Sequence, residues 1–172
     1  MSVGKRLRLE RLGEHHDVSG FASGNTELDK WLQHHALAAQ AMNSARTFVL
    51  LRDDTVVGYF SLTLASVRRE DAPTRLVRGL PAYPVGMVLV ARLAVAAAEQ
   101  GAGLGAGLLS AALRKAAHAG EIAAARLVLV DAIDDSAAAF YRRHGFTPVP
   151  ENPLRLYRRM KEIRASLAQA RA

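Results

Sequence analysis

Three features of this 172-residue chain predict an α/β fold. Residues 85–95 form a nearly continuous apolar run, Val-Gly-Met-Val-Leu-Val-Ala-Arg-Leu-Ala-Val, as in a central strand covered on both faces. Glycines 101, 103 and 105 punctuate the turn after it and open a helix over residues 103–119, whose buried stripe is Leu104, Leu108, Leu109 and Leu113. Residues 126–132, Arg-Leu-Val-Leu-Val-Asp-Ala, then read as a second buried strand.

The remaining elements follow in order. Residues 6–12 alternate polar and apolar like a half-buried strand, and a turn-rich stretch covers residues 19–25. Thr26 opens a helix with Asp29 three positions on, a variant capping box, and Leu28, Trp31, Leu32 and either His35 or Ala36 share one face. Residues 46–52 and 55–65 are β-rich runs around Asp53-Asp54, the pattern of a hairpin. From Ser66 to Pro84 the pattern dissolves into charges, Pro73, Gly79 and Pro81, a long loop with room for one helical turn. Residues 136–144 form a short helix stopped by Gly145, and residues 146–149 and 154–160 are closing strands. The tail from Lys161 is charged, Ala-rich and helical in propensity. With no internal repeat and no linker, residues 1–172 are expected to form one domain with a helical C-terminal tail from about residue 161.

Half of the residues are hydrophobic and 23% are charged, an ordinary globular balance. No apolar run approaches the roughly 18 to 20 residues of a membrane span. The sequence Met1-Ser2-Val3-Gly4-Lys5-Arg6 lacks the apolar core of a signal peptide, so a cytoplasmic protein without membrane attachment is expected. Absence of cysteine excludes disulfides, thiolate metal sites and a thiol nucleophile. The formal charge is +7, and only four of 23 basic residues are lysines. Arginine's planar fork suits phosphate, so the bias fits an anionic partner such as RNA; a GC-rich genome explains it as well.

Two local signals carry chemistry. In Gln100-Gly101-Ala102-Gly103-Leu104-Gly105, glycines let backbone N–H groups approach an anion, and a helix N-terminus adds partial positive charge. The turn lacks the Gly-Lys-Ser/Thr ending of a nucleoside triphosphate loop and falls too late in the chain for a dinucleotide fingerprint. A pyrophosphate fits it; taken alone, it is equally a tight turn. The second signal is Phe140-Tyr141-Arg142-Arg143-His144-Gly145-Phe146. A tyrosine near a helix end can donate a proton at neutral pH, because its ordinary pKa is about 10; taken alone, it reads more readily as a core aromatic.

Together, the glycine turn after a strand and Phe-Tyr-x-x-x-Gly-Phe some 40 residues later resemble the GNAT superfamily of N-acetyltransferases. Gln100, Gly103 and Gly105 match its Gln/Arg-x-x-Gly-x-Gly/Ala pyrophosphate motif. The segments Leu28-Asp29-Lys30-Trp31-Leu32, Ala45-Arg46-Thr47-Phe48-Val49, Val57-Gly58-Tyr59-Phe60-Ser61-Leu62 and Ala91-Arg92-Leu93-Ala94-Val95 resemble its TacT-like branch, toxins that acetylate the α-amine of aminoacyl-tRNA. Ala96 departs from that branch, which carries Asp at this place.

The resemblance implies a mixed central sheet of about six to seven strands flanked by helices, with a splayed strand that binds acetyl-CoA. It implies that Leu93, Ala94 and Val95 pair with the pantetheine arm and that Gln100, Gly101, Ala102, Gly103, Leu104 and Gly105 hold the pyrophosphate. Tyr141 is then the general acid for the departing thiolate. It further implies a ribbon-helix-helix antitoxin, contact with operator DNA only through that antitoxin, and a homodimer. Arg46, Arg75, Arg78, Arg92 and Arg142 are the candidates for gripping tRNA phosphates, with Arg52, Arg68, Arg69 and Arg143 beside them. Arg92 stands out because it interrupts an apolar strand, where a charge is costly. Glu99, Asp131 and Asp134 lie near strand ends and read as helix caps or solvent-facing groups rather than as a general base. The pairs His15-His16 and His34-His35 are read as no metal site, since adjacent helical residues point about 100° apart. The competing readings are an acetyltransferase of small amines or protein amines, and a non-catalytic module that binds antitoxin and operator DNA.

Overall fold

The computed structural model describes residues 6–72, 74, 78 and 84–171. Seven strands form one mixed sheet in the order β1-β2-β3-β4-β5-β7-β6. They are β1 Leu7–Arg11, β2 Arg46–Arg52, β3 Thr55–Val67, β4 Val85–Val95, β5 Leu127–Asp131, β6 Thr147–Val149 and β7 Asn152–Arg159. β4 and β5 run parallel, whereas β1/β2, β2/β3, β5/β7 and β6/β7 are antiparallel. Among the described residues the helices with defined bounds are α1 Thr26–His34, α2 Ala36–Ala41, α3 Leu104–Ile122, α4 Asp135–Arg143 and α5 Met160–Ala170. The chain divides into two compact units, one built from residues up to Thr63 with Ala91–Ala112, the other from Leu64–Val90 with residues from Leu113 onward.

The first unit is organised by β2 and β3. Asp53 takes φ +55, the left-handed turn residue that closes the hairpin, and Phe48 faces Phe60 while Val49 faces Tyr59. Strand alternation sends these pairs to opposite faces. Phe48 stacks on Phe60 with centroids 5.2 Å apart, and Tyr59 lies parallel to Trp31 and edge-on to Phe21. Tyr59, Leu32, Val49 and Leu51 are fully buried with Leu28 and Ala36. The Tyr59 hydroxyl donates to the Leu28 carbonyl at 2.6 Å, so the buried phenol is satisfied. A cross-strand pair of fully buried hydroxyls, Thr47 and Ser61, satisfies itself at 2.8 Å.

The second unit packs Met87, Leu127, Leu129 and Tyr157 into one cluster. At the base of β5, the Arg126 N–H donates to the Gly86 carbonyl, and the Met160 N–H donates to the Arg126 carbonyl. A Cβ at Gly86 would stand 3.1 Å from the Ala124 carbonyl, so glycine is what lets the chain pass there. The C-terminal tail docks: Met160 and Ile163 are buried, and a Cβ at Gly120 would strike the Met160 Cε at 2.9 Å.

Some boundaries differ from the sequence reading. The N-cap of α1 is Asn25, whose side chain accepts from the Leu28 N–H, so Thr26 is the first helical residue. The Asp29 carboxylate turns instead to Ser23. β3 runs to Val67 and α3 to Ile122, and Met160 opens α5 rather than ending a strand. Arg69–Asp71 forms a 3-10 turn, and most of the predicted loop beyond it lies outside the described residues.

Ile163 is fully buried on α5. Ile163→Ala is therefore expected to destabilise the protein by about 2–5 kcal/mol in urea unfolding, whereas a tail that merely frays costs almost nothing.

Candidate functional site

The end of β4 and the start of α3 frame the glycine turn that the sequence marks as a candidate phosphate cradle. Ala94 is buried, while Leu93 and Val95 on either side are partly exposed. Gly58 on β3 lets the chain approach here, since a Cβ would meet the Ala94 carbonyl at 3.2 Å. The Ala96 N–H donates to the Val57 carbonyl, and the Ala97 N–H turns away to the Ala22 carbonyl. A 3-10 turn, Ala97–Glu99, leads to Gln100 in extended conformation. Gly101 and Gly103 then take φ +87 and +82. A Cβ at either would meet nothing within 4 Å, so backbone conformation rather than space demands glycine.

Gly103 accepts from the Gly107 N–H at 3.3 Å, the first bond of α3. The N–H groups of Leu104, Gly105 and Ala106 are thus first-turn donors without an intrahelical acceptor, and Gly103 has no side chain to cap them. A helix of 19 residues adds its partial positive charge at the same place. The segment therefore fits a pyrophosphate by conformation and by donor supply.

The other residue singled out from the sequence, Tyr141, lies on α4 in the second unit. Asp134 caps this helix, accepting from the Ala137 N–H at 2.8 Å. Gly145 ends it at φ +90, and the Phe146 N–H returns to the Tyr141 carbonyl. Tyr141 is 6% exposed and lies edge-on to both Phe140 and Phe146. Burial raises its pKa from 10.0 to about 12. Its hydroxyl makes no hydrogen bond among the described residues, in contrast to Tyr59, whose proton is spent on Leu28. A phenol that stays protonated and has no acceptor among the described residues is chemically able to donate a proton.

Residues 43–148 match the model of the acetyltransferase (GNAT) domain. The chain belongs to the GNAT acetyltransferases. It is 41% identical over 155 residues to the tRNA-acetylating toxin of Mycobacterium tuberculosis (strain ATCC 25618 / H37Rv), covering 90% of this chain and 93% of the relative. Its fold matches that of AtaT complexed with acetyl-methionyl-tRNAfMet, with TM-score 0.85, 26% identity and coverage of 94% and 99%. It also matches a Tyr→Phe mutant of the AtaT toxin bound to the C-terminus of the antitoxin AtaR and acetyl-CoA, with TM-score 0.80, 26% identity and coverage of 94% and 98%.

The acetyltransferase spends several of its arginines internally. Arg46 donates to the Gln40 carbonyl and to Asn43 Oδ1, and Arg52 grips Glu99 with two bonds of 3.0 Å. Arg68 pairs with Glu70 and Asp71. Arg78, Arg142 and Arg143 are exposed; Arg75 lies outside the described residues, and Arg69 is described by its backbone alone. Arg92 sits half-buried over the Trp31 ring at 4.1 Å, without a carboxylate partner among the described residues. Burial lowers its pKa, with Tyr59 opposing.

The carboxylates near the strand ends are engaged. Glu99 holds Arg52, Asp131 holds Arg155 in a bidentate pair, and Asp134 is the cap of α4. Sequence reasoning gave Asp134 its correct place but could not pair the other two. The reasoning used for His15-His16 also fails, because this pair lies in a turn and not on a helix. The two rings are 4.0 Å apart, and Glu10 joins them within 4.8 Å, a grouping that could hold a metal ion. The Gly13 N–H donates to His16 Nδ1, which places the ring proton on Nε2 for Glu10 at 2.9 Å. A metal at Nε2 would have to break both bonds.

Gly103→Ala forces an L side chain into the left-handed region at a cost of roughly 1–2 kcal/mol. Calorimetry with coenzyme A is expected to show about tenfold weaker binding, and unchanged affinity would remove this turn from the phosphate site.

Proposed function

We propose that this acetyltransferase moves the acetyl group of acetyl-CoA to the α-amine of the amino acid carried by aminoacyl-tRNA, acting as a translation-blocking toxin. The observation that carries the reading is the 41% identity, over 90% of the chain, to a toxin named for acetylating tRNA. The matches to AtaT with acetyl-methionyl-tRNAfMet, and with antitoxin and acetyl-CoA, support it.

Acetyl-CoA supplies an activated acetyl group, which the acceptor amine takes as the sulfur departs with the electron pair of the broken C–S bond. In the proposed roles, the free N–H groups at the start of α3 and in residues 101–105 bind the pyrophosphate, and the backbone of Leu93 and Val95 aligns the pantetheine arm. Tyr141 Oη delivers its proton to the departing sulfur. Its pKa of about 12 keeps the donor loaded throughout the neutral range. A thiolate with a free pKa near 8.5 gains from that proton without needing it at every pH.

The engagement of Glu99, Asp131 and Asp134 supports the choice of acceptor. A lysine amine, with pKa about 10.4, calls for a base, whereas a free α-amine titrates near 7.7–8.0. Esterification of the adjacent carboxyl lowers that value further. An acceptor already largely neutral needs only a water path.

Arg78, Arg142 and Arg92 are proposed to meet tRNA phosphates, with Arg75 and, less directly, the internally bonded Arg46 beside them. A ribbon-helix-helix antitoxin would neutralise the toxin and carry it to operator DNA. A homodimer would offer tRNA two basic faces, and aminoacyl-tRNA as substrate fits a cytoplasmic site of action.

Incubation with labelled acetyl-CoA and bulk aminoacyl-tRNA tests the substrate: label is expected on the aminoacyl group. Label on ribosomal protein or small amines, with tRNA unlabelled, overturns this reading in favour of an ordinary amine acetyltransferase. In single-turnover kinetics, Tyr141→Phe is expected to slow acetyl transfer by about 10²-fold or more with acetyl-CoA affinity unchanged. Turnover within a factor of about three of the parent removes Tyr141 from the acid role.

A further inference from the structure

We infer that Asp29 and Ser23 are positioning residues for the coenzyme site and act on it through Gln100. This inference rests on the reading of residues 100–105 as the pyrophosphate cradle.

A chain of hydrogen bonds links α1 to the cradle. The Asp29 carboxylate, in the first turn of α1, accepts from the Ser23 N–H at 3.0 and 3.2 Å and from the Ser23 hydroxyl at 2.6 Å. Bonds to an ionised acceptor are short and strong. Ser23 Oγ in turn accepts from the Asn25 N–H at 3.2 Å, so the residue is held on both sides. The Ser23 carbonyl then accepts from Gln100 Nε2 at 2.7 Å. The same nitrogen donates to the Val95 carbonyl at 3.0 Å. The Ala97 N–H, bonded to the Ala22 carbonyl at 2.8 Å, fastens a second point of the same strap.

A carboxamide has two N–H donors, and Gln100 directs both at carbonyls. It has none left for a phosphate. Its side chain instead ties the last residue of β4 to the residue just before Gly101, closing the loop that aims the free N–H groups of α3. Asp29 fixes Ser23, Ser23 fixes Gln100, and Gln100 fixes the entry to the cradle. Gly24, at φ +94, lets the strap turn directly after Ser23 into the cap of α1. None of these side chains touches the reacting atoms, so their removal falls on coenzyme affinity and not on the chemical step.

The test is a double-mutant cycle on the full chain, with acetyl-CoA binding read by calorimetry and kcat and KM read by acetyl transfer. Asp29→Ala and Ser23→Ala are each expected to raise Kd and KM for acetyl-CoA about tenfold with kcat within a factor of about two, and Ser23→Thr to restore binding. Asp29→Ala placed on Gln100→Ala is expected to add less than about twofold, since coupled residues are not additive. Circular dichroism of both variants checks the fold, and Ser23→Ala stands alone if Asp29→Ala unfolds. Parent-like affinity in the folded variants overturns the inference, as does an equal loss from Asp29→Ala with and without Gln100. If the parent chain itself has no affinity for acetyl-CoA, the coenzyme reading fails and takes this inference with it, an outcome visible before any variant is made.

Discussion

The structure turns on a backbone constraint at residues 101–103. Two left-handed φ angles, at Gly101 and Gly103, convert the exit from β4 into the entry to α3 within a few residues. The first helical N–H groups have no intrahelical acceptor, and no side chain at Gly103 competes for them. Unsatisfied donors of this kind carry a free-energy penalty when dry and a gain when an anion arrives. The long apolar strand before the turn and the 19-residue helix after it supply rigidity and aligned peptide dipoles. The fold thus contributes a fixed positive terminus, and the glycines make it approachable.

Two buried phenols, Tyr59 and Tyr141, show how one residue type can be held in two different ways. Tyr59 spends its proton on the Leu28 carbonyl, and burial with the nearby Asp29 pushes its ionisation up against the opposing charge of Arg92. It is a clasp between β3 and α1. Tyr141 is held by two phenylalanine edges and a capped helix, and its hydroxyl has no acceptor among the described residues. Burial alone says little about function. The fate of the proton separates the two.

Much of this was legible in the sequence. The bounds of β4 were readable at both ends, because an apolar run bracketed by Pro84 and Ala96 has one sensible register. The turn into α3 was readable because glycine at alternate positions before a helical stripe has a specific conformational use. Other features were not. Asn25 and Thr26 are both good caps, and only geometry selects between them. The strap from Ser23 to Gln100 spans 77 positions, and no local pattern encodes a bond of that range. The bonding of Arg46, Arg52 and Arg68 was equally invisible, since composition registers the charge but not its partner. The geometry of the His15-His16 pair was not readable, since a helix was assumed for residues that form a turn.

The perch of Arg92 on Trp31 ties two distant positions together energetically. A half-buried guanidinium that lacks a carboxylate rests on the electron-rich face of an indole, itself parallel to Tyr59. An aliphatic side chain at 31 would strand the cation, and an aliphatic side chain at 92 would strip the indole of its polar cover. Substitution at either place removes a contact worth about 0.5–2 kcal/mol. The stability of the two residues, 61 positions apart in the sequence, is therefore coupled.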